Sequence, residues 1–192
     1  AIPVGLTGKD ILVQAQTGTG KTGTYGSIIL SRISSGYNIP SALIITPTRE
    51  LALQVSEELT KMAFYSGHRC MAIYGGVSIE RQAAELKKGV DIVIGTPGRL
   101  KDLLNKKALR ISKVSIAVLD EADRMLDMGF AKDLDFIISW LPKKRQNMMF
   151  SATMPPEVLS IAEQFMQDYE IIRTEMTRLS TELTDQIWNS VK

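Results

Sequence analysis

The chain has 192 residues, enough for one domain, or one large domain with a tail, and enough to bury a core. Its 44% hydrophobic and 23% charged residues exclude a largely disordered chain, a collagen and a disulfide-stapled peptide. With 23 basic against 21 acidic residues the net charge is only +2, so nucleic acid is not held by bulk electrostatics and any phosphate contacts must be few and placed.

In chain order, short apolar runs alternate with amphipathic ones. The runs 11–15, 42–45, 71–74, 92–94, 116–119 and 148–150 are rich in Ile, Val and Met without polar alternation, the pattern of strands buried on both faces. Helical periodicity is expected over 22–34, 50–64, 79–88, 130–141 and 155–166. The second helix carries Leu51, Val55, Leu59 and Met62 at spacings of three and four. The fourth carries Phe130, Leu134, Ile137, Ile138 and Leu141, which read as core. Strand alternating with helix predicts an α/β fold: a mostly parallel central sheet with helices on both faces. No apolar run approaches the roughly 20 residues that span a bilayer, and residues 1–10 do not read as a signal peptide. The single cysteine, Cys70, reads as a buried, unreactive thiol in a reducing, intracellular compartment. With His68 the only histidine, a His/Cys zinc site is not expected. Trp140 and the methionines read as core.

In parallel sheets ligands sit at the carboxyl ends of the strands. The residues that follow each predicted strand are small, polar or charged. After the first comes Ala15-Gln16-Thr17-Gly18-Thr19-Gly20-Lys21-Thr22, a phosphate-binding loop in its proper place between strand and helix. Its glycines let backbone N–H groups converge on phosphate oxygens, Lys21 reaches the β- and γ-phosphates, and the Thr22 hydroxyl is placed to ligate Mg²⁺. Ala15 stands where the general pattern has glycine. After the fifth strand comes Asp120-Glu121-Ala122-Asp123. Asp120 is placed to hold Mg²⁺ through water, and Glu121 to orient or deprotonate an attacking water. Taken alone, that acidic run reads equally well as a helix N-cap. Together the two motifs predict a nucleoside triphosphatase.

The other strand ends carry Pro47-Thr48-Arg49, Gly75-Gly76 and Thr96-Pro97-Gly98-Arg99. Hydroxyls, arginines and bare N–H groups at helix starts bind a nucleic acid backbone without reading bases, although each string alone could be a plain cap or turn. Three other readings remain open from the residues: a small P-loop kinase, a non-enzymatic docking module and a DNA-directed helicase.

Gln16–Thr22, Pro47–Leu51, Gly75-Gly76, Thr96–Arg99, Asp120–Asp123 and Ser151–Thr153 resemble motifs I, Ia, GG, Ib, II and III of the DEAD-box RNA helicases, in family order. The resemblance implies a RecA-like P-loop NTPase domain over residues 1–172, with residues 173–192 an interdomain linker or the start of a second RecA-like domain. It implies ATP and Mg²⁺ as cofactors and RNA as the polymer bound. It further implies ATP-driven local unwinding once the second domain is joined, and a compartment that is cytoplasmic or nuclear. It assigns RNA contacts to Pro47, Thr48, Arg49, Gly75, Gly76, Thr96, Pro97, Gly98 and Arg99. Asp123, Ser151 and Thr153 would couple the nucleotide site to RNA. Lys21, Asp120 and Glu121 would be catalytic. The family has an adenine-recognising glutamine just upstream of an Ala-Ile-Pro like Ala1-Ile2-Pro3, so the preference for ATP over GTP rests on the resemblance alone. Leu183-Thr184-Asp185-Gln186-Ile187 resembles the start of the family's second domain. The chain is therefore expected to be a fragment, inactive as a helicase by itself.

Overall fold

A computed structural model describes residues 1–173 except residues 17 and 37. The expectations for Thr17 and for 174–192 lie outside the described residues.

Seven strands form one sheet: β1 (Ile11–Gln14), β2 (Ala42–Ile45), β3 (Cys70–Ile73), β4 (Ile92–Gly95), β5 (Ile116–Leu119), β6 (Gln146–Ser151) and β7 (Glu170–Arg173). Their order is β3-β4-β2-β5-β6-β1-β7, and every pairing is parallel. Six of the seven lie where the apolar runs predict them. β7 does not, because Glu170-Ile171-Ile172-Arg173 is an edge strand whose side chains are mostly exposed, so burial never selected a continuous apolar run there.

The helices are α1 (Ile2–Leu6), α2 (Lys21–Arg32), α3 (Arg49–Met62), α4 (Ile79–Lys87), α5 (Pro97–Asn105), α6 (Ala122–Asp127), α7 (Ala131–Trp140) and α8 (Pro156–Phe165). α1 and α6, at five and six residues, are too short to show a full apolar stripe. α5 is as long as α4, but its first turn is the Pro97-Gly98-Arg99 string, which reads as a strand-end turn rather than a helix. α3 starts where the Thr48 hydroxyl accepts a hydrogen bond from the Leu51 N–H at 3.2 Å, an N-cap that satisfies one orphan donor of the first turn. Ser78 caps α4 in the same way through the Arg81 N–H at 3.1 Å.

Successive strand residues point to opposite faces and feed two separate cores. Leu12, Leu43, Val93, Leu119 and Met149 pack under α4 to α8 with Leu100, Leu104, Met125, Leu134, Ile137 and Phe165. Ile11, Val13, Ile44, Ile94, Val118 and Phe150 pack under α2 and α3 with Tyr25, Ile28, Val55 and Leu59. Leu134 and Ile137 of α7 and Leu141 just after it are core as expected, with Phe130 and Ile138 partly buried against them. Core expectations fail at three side chains. Met62, on the last turn of α3, and Met128, just after α6, are exposed, and Trp140 is 46% exposed beside Phe136 because it ends α7 on the solvent side. Cys70, on the edge strand β3, is only half-buried rather than buried as expected, and its thiol is pushed up to about 11 mainly by burial, with a hydrogen bond to Thr60 opposing and the nearby Asp91 charge adding to the rise. No described helix is long and apolar enough to cross a membrane.

At the amino ends of the strands two buried carboxylates act as staples. Asp91 accepts from the Gly36 N–H (3.0 Å) and the Arg69 N–H (2.9 Å). Asp10 accepts from the Asn147 N–H (2.6 Å), the Asn147 side-chain amide (2.8 Å) and the Gln167 N–H (2.9 Å), joining β1, β6 and the end of α8. Every oxygen of these two acids has a donor, which is how a buried charge becomes structural. Asp10→Ala strands three donors and is expected to lower stability by about 2–4 kcal/mol in urea unfolding, with the slope unchanged.

Candidate nucleotide and nucleic-acid site

All six motifs lie at the carboxyl end of the sheet, and the strand order sorts them. β5, β6 and β1 are neighbours, as are β3, β4 and β2. The phosphate loop, the acidic run and Ser151–Thr153 therefore share one half of the edge. The Thr48, Gly75 and Thr96 strings share the other.

The loop begins at Ala15, whose N–H donates to the Ser151 carbonyl at 2.9 Å. That residue is buried, so its methyl is part of the core. The Thr19 hydroxyl donates to the Gln16 carbonyl at 2.7 Å and closes the turn. Gly18 and Gly20 both sit at φ +83°, and a Cβ at either would meet nothing within 4 Å. Glycine is needed there for the left-handed backbone and not for lack of room. The space left open is a cleft of about 240 Å³ lined by Gly18, Gly20, Lys21, Thr22, Asp120 and Glu121, with Leu51, Gln54 and Glu58 of α3 forming the far wall. Larger concavities lie elsewhere, one of about 600 Å³ near Asp10 and Arg145, but they contain none of the motif residues.

Lys21 and Asp120 meet at the base of this cleft. The Lys21 Nζ lies 3.5 Å from Asp120 Oδ1, with the side chains 8% and 2% exposed. The distance allows Coulomb attraction, yet neither atom makes a hydrogen bond. The other oxygen, Oδ2, accepts from the Tyr25 hydroxyl at 2.9 Å, and that hydroxyl lies 3.3 Å from Thr22 Oγ1. Burial pushes the Asp120 carboxyl above its ordinary value, with Lys21 and Tyr25 opposing and Glu121 adding to the rise. Tyr25 is driven well above its ordinary value by burial and by the Asp120 charge. It escaped sequence reading because an aromatic residue in an amphipathic helix reads as core. The available signal was its position three residues after Thr22, on the same helix face.

Glu121 takes a left-handed backbone, φ 52° and ψ 54°, as the N-cap of α6. For a residue with a Cβ this costs about 1–3 kcal/mol, and such strain concentrates at working sites. Its carboxylate is mostly buried and lies 3.2 Å from Arg124 Nη1. Two residues on, Asp123 is clamped. The Thr153 N–H (2.9 Å) and hydroxyl (2.8 Å) both donate to Asp123 Oδ2, the Arg124 N–H donates to Oδ1 at 3.0 Å, and the Asp123 N–H donates to Ser151 Oγ at 3.2 Å. Burial alone would raise the Asp123 carboxyl, but these bonds outweigh it and hold it below its ordinary value.

Two orphaned polar atoms of opposite charge and a neighbouring hydroxyl fit a Mg²⁺–phosphate group. Carboxylate and hydroxyl oxygens are hard ligands, and Mg²⁺ on a nucleotide is held by one or two protein groups together with phosphate oxygens. No cluster of three or more His, Cys, Asp or Glu side chains able to hold a metal occurs among the described residues.

In the other half, Arg49 lies exposed at the start of α3, its guanidinium 4.8 Å from the centre of the Tyr74 ring. A Cβ on Gly76 would come 3.6 Å from Arg49 Nη1. Arg99 Nη1 donates to the Val77 carbonyl and to Gln82 Oε1, both at 2.9 Å, and so ties α5 to the glycine turn. Gly95 ends β4 where a Cβ would sit 2.7 Å from Leu100 and 3.1 Å from the Ile73 carbonyl, so only glycine lets α5 leave the strand so closely. Thr96 starts α5 without using its hydroxyl as a cap, whereas that of Thr48 is engaged as one. Gly75, Gly76 and Gly98 are accessible, but Pro47 and Pro97 are buried and shape the surface without presenting a side chain.

A parallel sheet with a glycine-rich loop between β1 and α2 and an acid at the end of β5 defines a P-loop protein of RecA-like architecture. The sequence profile of the DEAD/DEAH box helicase family matches residues 1–161. The chain belongs to this family. The ATP-dependent RNA helicase CshA of Listeria monocytogenes is 47% identical over 190 residues, covering 99% of this chain and 36% of that protein. CshA of Bacillus subtilis is 43% identical over 191 residues, covering the whole chain and 39% of that protein. The chain thus spans little more than a third of the curated relatives it matches. The crystal structure of a DEAD box protein from Methanococcus jannaschii superposes with a TM-score of 0.86 at 40% identity, over 90% of this chain and 47% of that one. A hypothetical ATP-dependent RNA helicase from Sulfolobus tokodaii superposes at 0.83 with 36% identity, over 90% of this chain and 50% of its own.

The depressed Asp123 carboxyl gives a pH signature. Its stabilisation is fully present above the unfolded value, about 3.9, and is lost as pH falls through the lower folded value. The stability difference between wild type and Asp123→Asn in urea is therefore expected to hold steady from pH 7 to 5 and to close below about pH 4.

Proposed function

We propose that the chain is the ATP-binding half of an ATP-dependent RNA helicase core, covering residues 1–172. In this reading it takes up ATP with Mg²⁺ on one half of the sheet edge and an RNA backbone on the other. The observation that carries it is the buried Lys21–Asp120 pair, whose facing atoms lack hydrogen bonds at the mouth of a phosphate loop. Such a pair is costly to keep in a folded chain unless a ligand completes it.

Each residue then has a task. The N–H groups around Gly18 and Gly20 and the N-terminus of α2 receive phosphate oxygens. Lys21 donates to the β- and γ-phosphates, while Thr22 and Asp120 hold the cation, which when bound neutralises charge developing on the transferred phosphoryl group. Glu121, fixed in its strained N-cap, orients or deprotonates the attacking water. Asp123 passes the state of this acidic run to Ser151 and Thr153. Thr48, Arg49, Gly75, Gly76, Thr96, Gly98 and Arg99 present N–H groups, hydroxyls and guanidinium groups to the polymer, and Pro47 and Pro97 hold their loops in shape. Arginine fingers and the rest of the RNA site belong to a second RecA-like domain, consistent with the greater length of the relatives.

A small P-loop kinase is disfavoured by the Asp123–Thr153 clamp, which serves no phosphate acceptor. A docking module without turnover is disfavoured by the intact Lys21, Thr22, Asp120 and Glu121. RNA is preferred over DNA through the family.

In the full-length protein Lys21→Ala is expected to abolish RNA-stimulated ATP hydrolysis and weaken ATP binding at least tenfold, read by steady-state turnover and a fluorescent-nucleotide titration. Wild-type values in that variant would refute the assignment. Residues 1–192 by themselves, lacking arginine fingers worth about 10³–10⁵ in rate, are expected to show no RNA-stimulated turnover, and RNA stimulation of this chain would overturn the two-domain reading. Stimulation by DNA equal to that by RNA of the same length would remove the RNA assignment.

A further inference from the structure

We infer that Tyr25 is a positioning residue whose hydroxyl aims Thr22 and Asp120 together at the cation of a bound nucleotide. This rests on the reading above that Thr22 and Asp120 are the cation's protein ligands.

The hydroxyl of Tyr25 is wholly buried, in contact with two groups that would hold the same ion. It lies 2.9 Å from Asp120 Oδ2 and 3.3 Å from Thr22 Oγ1. A phenol has one proton and can also accept. The nearer acceptor is charged, so the proton goes to Asp120. That leaves the phenol oxygen to accept from the Thr22 hydroxyl. The chain Thr22 O–H to Tyr25 O–H to Asp120 then has a single direction.

Two consequences follow for the cleft. The hydrogen of Thr22 points inward, which turns the lone pairs of Oγ1 outward, as a ligand oxygen requires. Asp120 is held through Oδ2, which leaves Oδ1, the oxygen without a hydrogen bond, to face Lys21 and the loop. Without the phenol the Thr22 hydroxyl would lack this acceptor, and the carboxylate could rotate its other oxygen toward Lys21. Packing does not need the oxygen: the ring meets Phe150 edge-on at 5.3 Å, and phenylalanine would keep that contact.

The test compares wild type with Tyr25→Phe in the full-length protein, using fluorescent ADP as the probe. Nucleotide binding is titrated against Mg²⁺, and again in excess EDTA, with thermal melting as a check on folding. The Mg²⁺ concentration for half-saturation is expected to rise about ten- to a hundredfold in Tyr25→Phe, the scale of a hydrogen bond to a charged group. Binding in EDTA is expected to be unchanged. Equal Mg²⁺ dependence in the two proteins overturns the inference, whatever the shift in melting temperature, and leaves the nucleotide assignment standing. Equal weakening with and without Mg²⁺ also overturns it, because the phenol would then support the pocket as a whole. Absence of Mg²⁺-dependent binding in wild type overturns both this inference and the functional reading beneath it.

Discussion

The site depends on an incomplete contact. Lys21 and Asp120 are buried together at 3.5 Å, close enough to attract but without a hydrogen bond between them. Desolvating two charges costs several kcal/mol each unless geometry and further hydrogen bonds restore it. The chain contains its own control. Asp10 and Asp91 are also buried, yet donors meet both oxygens of each, and both staple the amino ends of strands. The difference between these structural carboxylates and the one proposed to hold a ligand lies in which oxygens are left over.

The strand order turns a linear string of motifs into two surfaces. Along the chain the motifs proposed for nucleotide and for polymer run nucleotide, polymer, polymer, polymer, nucleotide, nucleotide. The sheet order β3-β4-β2-β5-β6-β1 brings the three strands proposed for the polymer together and the three proposed for the nucleotide together. The seam between them is an ordinary ladder, with the Asp120 N–H donating to the Ile45 carbonyl at 2.9 Å.

Much of this was legible in the sequence, for identifiable reasons. Runs such as 42–45 and 116–119 are apolar on both faces because helices cover both faces, so six strands stood out. Ile171 and Ile172 of β7 did not, since an edge strand buries too little to need a pattern. The loop and the acidic run were readable because their chemistry tolerates few residue types. Tyr25, Gln54 and Glu58 were not, because their part in the cleft depends on which helix face meets which strand end. Buried Pro47 and Pro97 show the reverse failure: a motif string marks a location without telling which of its members reaches the surface.

Helix α3 belongs to both halves. It begins at Thr48 and Arg49, among the groups assigned to the polymer, and its Leu51, Gln54 and Glu58 form the far wall of the phosphate cleft. Its N-cap and its cleft-lining residues lie within three turns of one continuous helix, too short a span to bend without breaking backbone hydrogen bonds. On the proposed reading, a polymer that tilts α3 at Arg49 would therefore move Glu58 as the other end of a lever. The same rod limits how far either half of the edge can be remodelled alone: on that reading, a change in the grip on one ligand would also change the width of the pocket for the other.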